Sequence, residues 1–469
     1  MNRTTLLLSA AGLLALVALA LGLPKPPPVT NTTHTLAQPG DPEPTLTLPL
    51  VTAGEGALTL EGKLSGAYVE AGPSEAFAVL EVKAHQPKDQ HRVPVNVALV
   101  IDRSGSMRGQ KLEDAKRAAR EFVQRLTDVD RLAMIHYGTS VTTFPSTLVT
   151  EENRTQMLSF INAIEDDGST NISGGLEAAA QQLRPYVSQF RVSRAILMSD
   201  GQPTAGLVRE EELTGLSRQL RTEGIAVSAL GVGGDFNENL MQGIADQGGG
   251  FSGFLDSNQL AEVFTRELEQ ATGTVARAVE VRLELPSQVK SAEVMGTTAT
   301  REGNTLRVPL YDMAGGQSAR LVVKLTLETQ PSEQPLELLG AKVTYMDVEQ
   351  DRPAEAHVTL SARATEDGAV VRANLDKDVH VHAVRALGTQ QMRAAAEEMK
   401  RGNRESALGL LSNARRLFGT SASALSGELA DVDKAKAAYE NAQDSESQRN
   451  EARDLQKKSM KYFGYNNSY

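Results

Sequence analysis

The sequence predicts an α/β plus β plus α protein: a doubly wound parallel sheet inserted in a β-sandwich, followed by a C-terminal helical region. Three observations carry this. Between Val93 and Thr272 the apolar runs "VPVNVALVID", "RLAMIHY", "RAILMSDG" and "AVSALGVG" alternate with helical patterns, as strands buried on both faces of a parallel sheet do. After Gly273 the period falls to two, at Val279, Val281, Leu283 and Leu285, then in "LVVKLTL", "AKVTYMDV" and "AHVTLSA", which marks an antiparallel β-domain. A block at 57–84 shows the same alternation but is too short to fold alone, so it is expected to pair with the later strands.

The elements follow in chain order. Residues 1–23 read as a signal peptide or signal anchor: Arg3 is the positive end, and Leu6 to Leu23 as a helix would span ~27 Å, enough for a bilayer core. Small residues at Ala18, Ala20 and Gly22 suit a signal peptidase, so cleavage and anchoring both stay open. Either way the rest of the chain is expected to be exported, as a periplasmic, cell-envelope or secreted protein. Residues 24–52 form a linker rich in Pro and Thr. The N-terminal sandwich strands are expected at 53–92, the α/β domain at 93–272, the remaining sandwich at 273–365 and helices at 375–469. In the α/β domain, Leu112, Ala115, Ala119, Phe122, Val123 and Leu126 line one face of its first helix. "QQMRAAAEEMKRGNRESALGLLSNARRLF" reads as two helices about a turn at Gly402–Asn403, in the style of a tetratricopeptide hairpin.

Composition excludes several classes. With 48 Lys+Arg against 59 Asp+Glu the net charge is −11, against a nucleic-acid partner. The chain has 469 residues and no cysteine, so two to four domains are expected, without disulfides, thiol nucleophiles or Cys-ligated zinc. Beyond residues 1–23 no segment is long and apolar enough to span a membrane as a helix, which removes a helical pore.

Chemistry concentrates in "ALVIDRSGSMRG", Ala98 to Gly109. Asp102 ends the first buried strand, and Ser104 and Ser106 follow at alternate positions of a turn, where Gly105 is expected to relieve a Cβ clash. Ligands of open parallel sheets gather at the carboxyl ends of the strands. Thr170, in the Gly-flanked loop "DDGSTNISGGL", and Asp200, at the end of "LMSDG", are expected at the same edge. Carboxylates and hydroxyls together suit a hard cation, Mg²⁺ first, with Mn²⁺ or Ca²⁺ as alternatives. Asn171, beside Thr170, is expected to hydrogen-bond behind the ligands.

These five positions resemble the metal-ion-dependent adhesion site of the von Willebrand factor A (VWA) family: Asp-x-Ser-x-Ser, a distal Thr and a distal Asp. The resemblance covers about 180 residues and implies a non-enzymatic adhesion or scaffold role. In that family a partner's Asp or Glu completes the coordination. "RVPLYDMAGGQSARLVVKLTL", "EMKRGNRESALGLL" and "KKSMKYFGYNNSY" resemble a narrower group with a sandwich and C-terminal helices, found in bacterial envelope proteins and plant RING-finger VWA proteins. The ligase activity does not carry over, for want of cysteine, and the calcium-activated chloride channel labels of bacterial relatives say nothing about transport.

Other candidates read as structural. His380 and His382, at i and i+2, lie on opposite sides of a helix and are expected to be solvated or partly packed. His136 is expected to be a satisfied core histidine, "GVGGDF" a strand-to-helix turn, Ser199 structural and Arg103 solvated. Asn31, Asn153 and Asn171 match glycosylation sequons. Two rival functions remain: a scaffold working through its C-terminal helices around a structural metal, and a metal-dependent hydrolase. The hydrolase is disfavoured because the motif loops hold no Lys, His or third carboxylate to act as base. The helix near Leu260–Leu268 is a candidate route from the metal site to the sandwich.

Overall fold

The structure, a computed structural model, describes residues 50–463 except 55, 88–91, 234–236, 298 and 443. The expected signal or anchor segment and nearly all of the linker, with Asn31, lie outside the described residues, as do the last six residues.

Four strands come first: β1 (Val51–Ala53), β2 (Leu58–Leu64), β3 (Tyr68–Glu70) and β4 (Gly72–Ala84). The α/β domain contributes β5 (Val95–Asp102), β6 (Arg131–Tyr137), β7 (Val141–Leu148), β8 (Val192–Ser199), β9 (Ile225–Val232) and β10 (Gly249–Leu255). Eight more follow: β11 (Thr274–Glu284), β12 (Val289–Val294), β13 (Thr300–Glu302), β14 (Thr305–Pro309), β15 (Met313–Ala314), β16 (Ser318–Thr329), β17 (Ser332–Asp347) and β18 (Arg352–Thr365).

The central sheet runs β10-β9-β8-β5-β6-β7, parallel except for β7, which is antiparallel to β6. β5, β8 and β9 are buried along their whole length, which is why their sequences lack alternation. Strands β7 and β10 escape the sequence reading, because "VTTFPSTL" is half-exposed and polar and "GGFSGFL" is rich in glycine. Helices α1 (Gln110–Arg125), α2 (Glu151–Asn162) and α6 (Leu260–Thr272) cover one face, burying Phe122, Ile161 and Phe264 against Leu99, Ile101 and Met134. Helices α3 (Ile172–Leu183), α4 (Glu210–Thr222) and α5 (Glu238–Gly248) cover the other, burying Leu176, Leu220 and Ile244 against Val100 and Leu197.

The sandwich has one sheet ordered β1-β2-β4-β16-β12 and another ordered β13-β14-β11-β17-β18-β3, with β15 on β11. β4 pairs with β16 from Gly72–Thr329 to Lys83–Ser318, so residues on either side of the α/β domain share a sheet. The two ends of the inserted domain are tied by Val93 N–H donating to Thr272 O at 2.9 Å. Phe251 of β10 joins the sandwich core, its ring 4.9 Å from that of Tyr311.

Helices α7 (Gly368–Ala373), α8 (Lys377–Lys400), α9 (Arg404–Gly419), α10 (Ser426–Asn441) and α11 (Ser445–Tyr462) close the chain. α8 packs Val379, Ala383 and Ala386 on Phe77 and Val322 of the sandwich. α11 places Met460 in the core of the α/β domain. His380 is therefore buried rather than solvated, and His382 is half-buried, with Arg385 Nη1 3.3 Å from its Nδ1.

Candidate metal centre

In this sheet the strand order reverses between β5 and β8: later strands β6 and β7 run to one side, β8, β9 and β10 to the other. A crevice opens at such a switch point, at the carboxyl ends of the strands. β5 and β8 are hydrogen-bonded neighbours up to Ile101 and Met198, so Asp102 and Asp200 follow side by side at that edge. Both are 0 % exposed.

Asp102 is held by two donors. The backbone N–H of Ser104 reaches Oδ1 at 2.8 Å, and the hydroxyl of Ser199 reaches Oδ2 at 2.6 Å. Burial pushes the Asp102 carboxyl above the usual range, with its hydrogen bonds to Ser199 and Ser104 opposing. Ser104 Oγ lies 3.1 Å from Ser106 Oγ, and Ser106 Oγ donates to Asp200 Oδ1 at 2.6 Å. Thr170 is buried, and its carbonyl accepts from Thr204 N–H at 3.0 Å while its own N–H donates to Thr204 Oγ1 at 2.9 Å. Gly201, just after Asp200, forms the floor between two hydroxyls: a Cβ there would lie 3.4 Å from Ser106 Oγ and 3.5 Å from Thr170 Oγ1. All five predicted side chains thus come to one strand-end edge. The donor set is oxygen throughout, two carboxylates and three hydroxyls, and fits a hard divalent cation. Among the described residues no group of three or more His, Asp or Glu side chains offers another metal site.

The supporting residues depart from expectation in several places. Asn171 is the N-cap of α3, its Oδ1 accepting from Gly174 N–H at 2.9 Å. Gly105 is not needed to avoid a clash: a Cβ there would meet only Gly168 O, at an ordinary 3.6 Å. Ser199 is structural, as expected, and its particular role is to orient Asp102. Arg103 is neither solvated nor turned outward. It pairs with Asp167 at 3.1 Å and donates to Glu165 O at 3.0 Å and Ser140 Oγ at 2.8 Å, bracing the loops behind the site. His136 is buried, but its Nδ1 finds no hydrogen-bond partner among the described residues. The turn expected at "GVGGDF" is described only as far as Gly233.

One residue went unnoticed in the sequence. Lys111, in the first turn of α1, places Nζ 2.5 Å from Asp200 Oδ2. A lysine does therefore reach the site, although none lies in the motif loops. Its contact with Asp200 is that of a hydrogen-bond donor in an ion pair.

The model of the von Willebrand factor type A domain matches residues 96–266. The Escherichia coli uncharacterized protein YfbK is 27% identical over 54% of this chain and 45% of its own length. The Synechocystis uncharacterized protein sll0103 is 25% identical over 75% of this chain and 86% of its own. Matched residues thus span less than half of the first relative. Among solved structures, a von Willebrand factor type A protein from Catenulispora acidiphila superposes with a TM-score of 0.66, covering 85% of this chain and 96% of that one at 16% identity. That likeness establishes the fold.

Proposed function

We propose that this chain, whose residues 96–266 are a von Willebrand factor type A domain, acts as a non-enzymatic, divalent-metal-dependent protein-binding protein of the cell envelope. Such domains mediate contact between proteins; the metal dependence, the location and the partner's chemistry are our reading. The observation that carries it is the pair of fully buried carboxylates, Asp102 and Asp200, at adjacent strand ends beside three hydroxyls. Asp102 has no ion-pair partner among the described residues, and Asp200 has the single ammonium of Lys111. The pair therefore keeps an excess negative charge that is costly to bury and that a divalent ion would neutralise.

Asp102, Ser104, Ser106, Thr170 and Asp200 would hold the ion, Mg²⁺ by hardness, with Mn²⁺ or Ca²⁺ suiting the same donors. When bound, the ion supplies an electrophilic coordination position that a partner's Asp or Glu takes in place of water. The chain's own contribution is orientation: Ser199 and the Ser104 N–H aim Asp102, and Thr204 fixes the backbone of Thr170. Three of the five donors are neutral and add no negative charge beyond that of the two carboxylates, so the ion would stay electrophilic enough to take a carboxylate from outside. The net charge of −11 supports a protein partner over nucleic acid. The apolar N-terminal run and the Pro-rich stretch support export, with anchoring by an uncleaved helix as one form.

The test titrates Mg²⁺ and Mn²⁺ into the full chain and into Asp102→Ala by calorimetry, then captures partners from envelope extract in Mg²⁺ and in chelator. Asp102→Ala is expected to abolish both metal and partner binding while the far-ultraviolet circular dichroism stays unchanged. Capture of the same partner by Asp102→Ala in chelator overturns the reading.

A further inference from the structure

We propose that Lys111 competes with the divalent ion for Asp200 and so sets how tightly the metal binds. The proposal rests on the metal-dependent reading above. Three observations bring it forward. Both oxygens of Asp200 are engaged by the chain itself: Oδ1 accepts from Ser106 Oγ at 2.6 Å, and Oδ2 meets Lys111 Nζ at 2.5 Å. Among the described residues, Lys111 is the one cation ion-paired with either buried carboxylate. The nearby Arg103 and Arg108 are committed elsewhere, to Asp167 at 3.1 Å and Asp166 at 2.7 Å.

The second observation is the path of the lysine stem. It runs past Gly233, whose φ is +79°. A Cβ at that position would lie 3.0 Å from Lys111 Cε and 3.3 Å from Nζ. The missing side chain gives the lysine its way in. Third, Lys111 stands in the first turn of α1, where the positive end of the helix dipole disfavours a cation. The Asp200 carboxylate offsets that penalty, and the placement makes little sense without it.

The charges then make the lysine and the metal alternatives. Two buried carboxylates with one ammonium leave a net charge of about −1, and a divalent ion alone neutralises both. Adding the ion while the ammonium stays leaves excess positive charge at the N-terminus of α1. The Lys111 side chain is 28% exposed, so it can leave Asp200 for solvent on its flexible stem without opening a cavity.

The experiment compares calorimetric Mg²⁺ and Mn²⁺ titrations of the full chain with those of Lys111→Met and Lys111→Arg, alongside thermal unfolding in chelator. Lys111→Met is expected to bind either ion about tenfold more tightly, a shift of about 1.4 kcal/mol. It should unfold at a lower temperature than the wild type in chelator, with the gap closed by saturating Mg²⁺. If the wild type binds metal and Lys111→Met binds no more tightly, competition is overturned and the metal site stands. If only Lys111→Met binds metal, competition is supported and metal dependence of the natural chain is overturned. If neither binds, both fail. Should Lys111→Met not fold in chelator, Lys111→Arg decides: a two-pronged guanidinium on Asp200 is expected to weaken Mg²⁺ binding, and unchanged affinity counts against the proposal.

Discussion

Asp102 has one oxygen on the Ser104 amide and the other on the Ser199 hydroxyl, so its rotamer is set before any ligand arrives. Ser199→Ala is expected to lower Mg²⁺ affinity roughly tenfold, as loss of a ligand's outer partner typically does. Its effect on stability should stay near 1–2 kcal/mol, and calorimetry with urea unfolding separates the two. His136 gives a pH effect at the same scale. Burial, aided by the positive charge of Arg103, pushes its imidazole down to about 4, against about 6.5 in the unfolded chain. The folded state binds fewer protons between those values. Stability is therefore complete above pH 6.5 and is lost as pH falls toward 4, by up to about 3 kcal/mol. His136→Leu should flatten that part of the urea-midpoint profile; a profile as steep as the wild type's would assign the loss to other groups. His382, also pushed to about 4 by burial and two arginines, adds to it in the same direction.

At the scale of elements, the loops around the site depend on glycines that the motif does not contain. A Cβ on Gly138 would sit 2.1 Å from Asp167 O, a backbone atom that cannot swing aside. Gly138→Ala is expected to destabilise by about 1–3 kcal/mol, whereas Gly105→Ala should stay within about 0.5 kcal/mol. Thermal unfolding of the two variants decides; equal losses would contradict the geometry. Helix α6 is tied to the sheet by Glu267, which is 3.3 Å from Arg194 Nη1 and accepts from Ser228 Oγ at 2.8 Å, all three residues being fully buried. Moving α6 would strip a buried charge of its partners, at about 3–5 kcal/mol. Hydrogen exchange of Leu260–Leu268 is therefore expected to be insensitive to Mg²⁺. A large loss of protection on metal addition would instead make α6 the route to the sandwich.

For the whole molecule, the inserted domain is joined to its surroundings on several sides. Arg221 of α4 donates to Val279 O at 2.7 Å and Leu310 O at 2.9 Å, and Arg191 donates to Val348 O at 2.6 Å. Glu238, at the start of α5, receives Arg453 at 2.9 Å and Lys400 at 3.2 Å from the C-terminal helices. Those two cations hold its carboxyl below the usual range although burial opposes them. Glu238→Ala is expected to loosen α11, read as faster amide exchange over Ser445–Tyr462, with the metal site unaffected.

What the sequence determined by itself was local: the switch of hydrophobic period at Val93 and Gly273, and five oxygen-bearing residues at strand ends and loops. Both survive translation into three dimensions because periodicity and residue type are carried by the chain without reference to its folding partners. Strands β7 and β10 stayed hidden, since an exposed edge and a glycine-rich strand lack the apolar signal. Only the tertiary structure decided that Ser199 aims Asp102, that Arg103 braces loops, that Gly105 is dispensable and that Lys111 faces Asp200. Each of these depends on how distant segments meet: the register of β5 against β8 for Ser199, the rotation of α1 about its axis for Lys111, and the approach of the 165–168 loop for Arg103 and Gly105. None is set by residues near one another in the chain, because the packing of distant segments selects them.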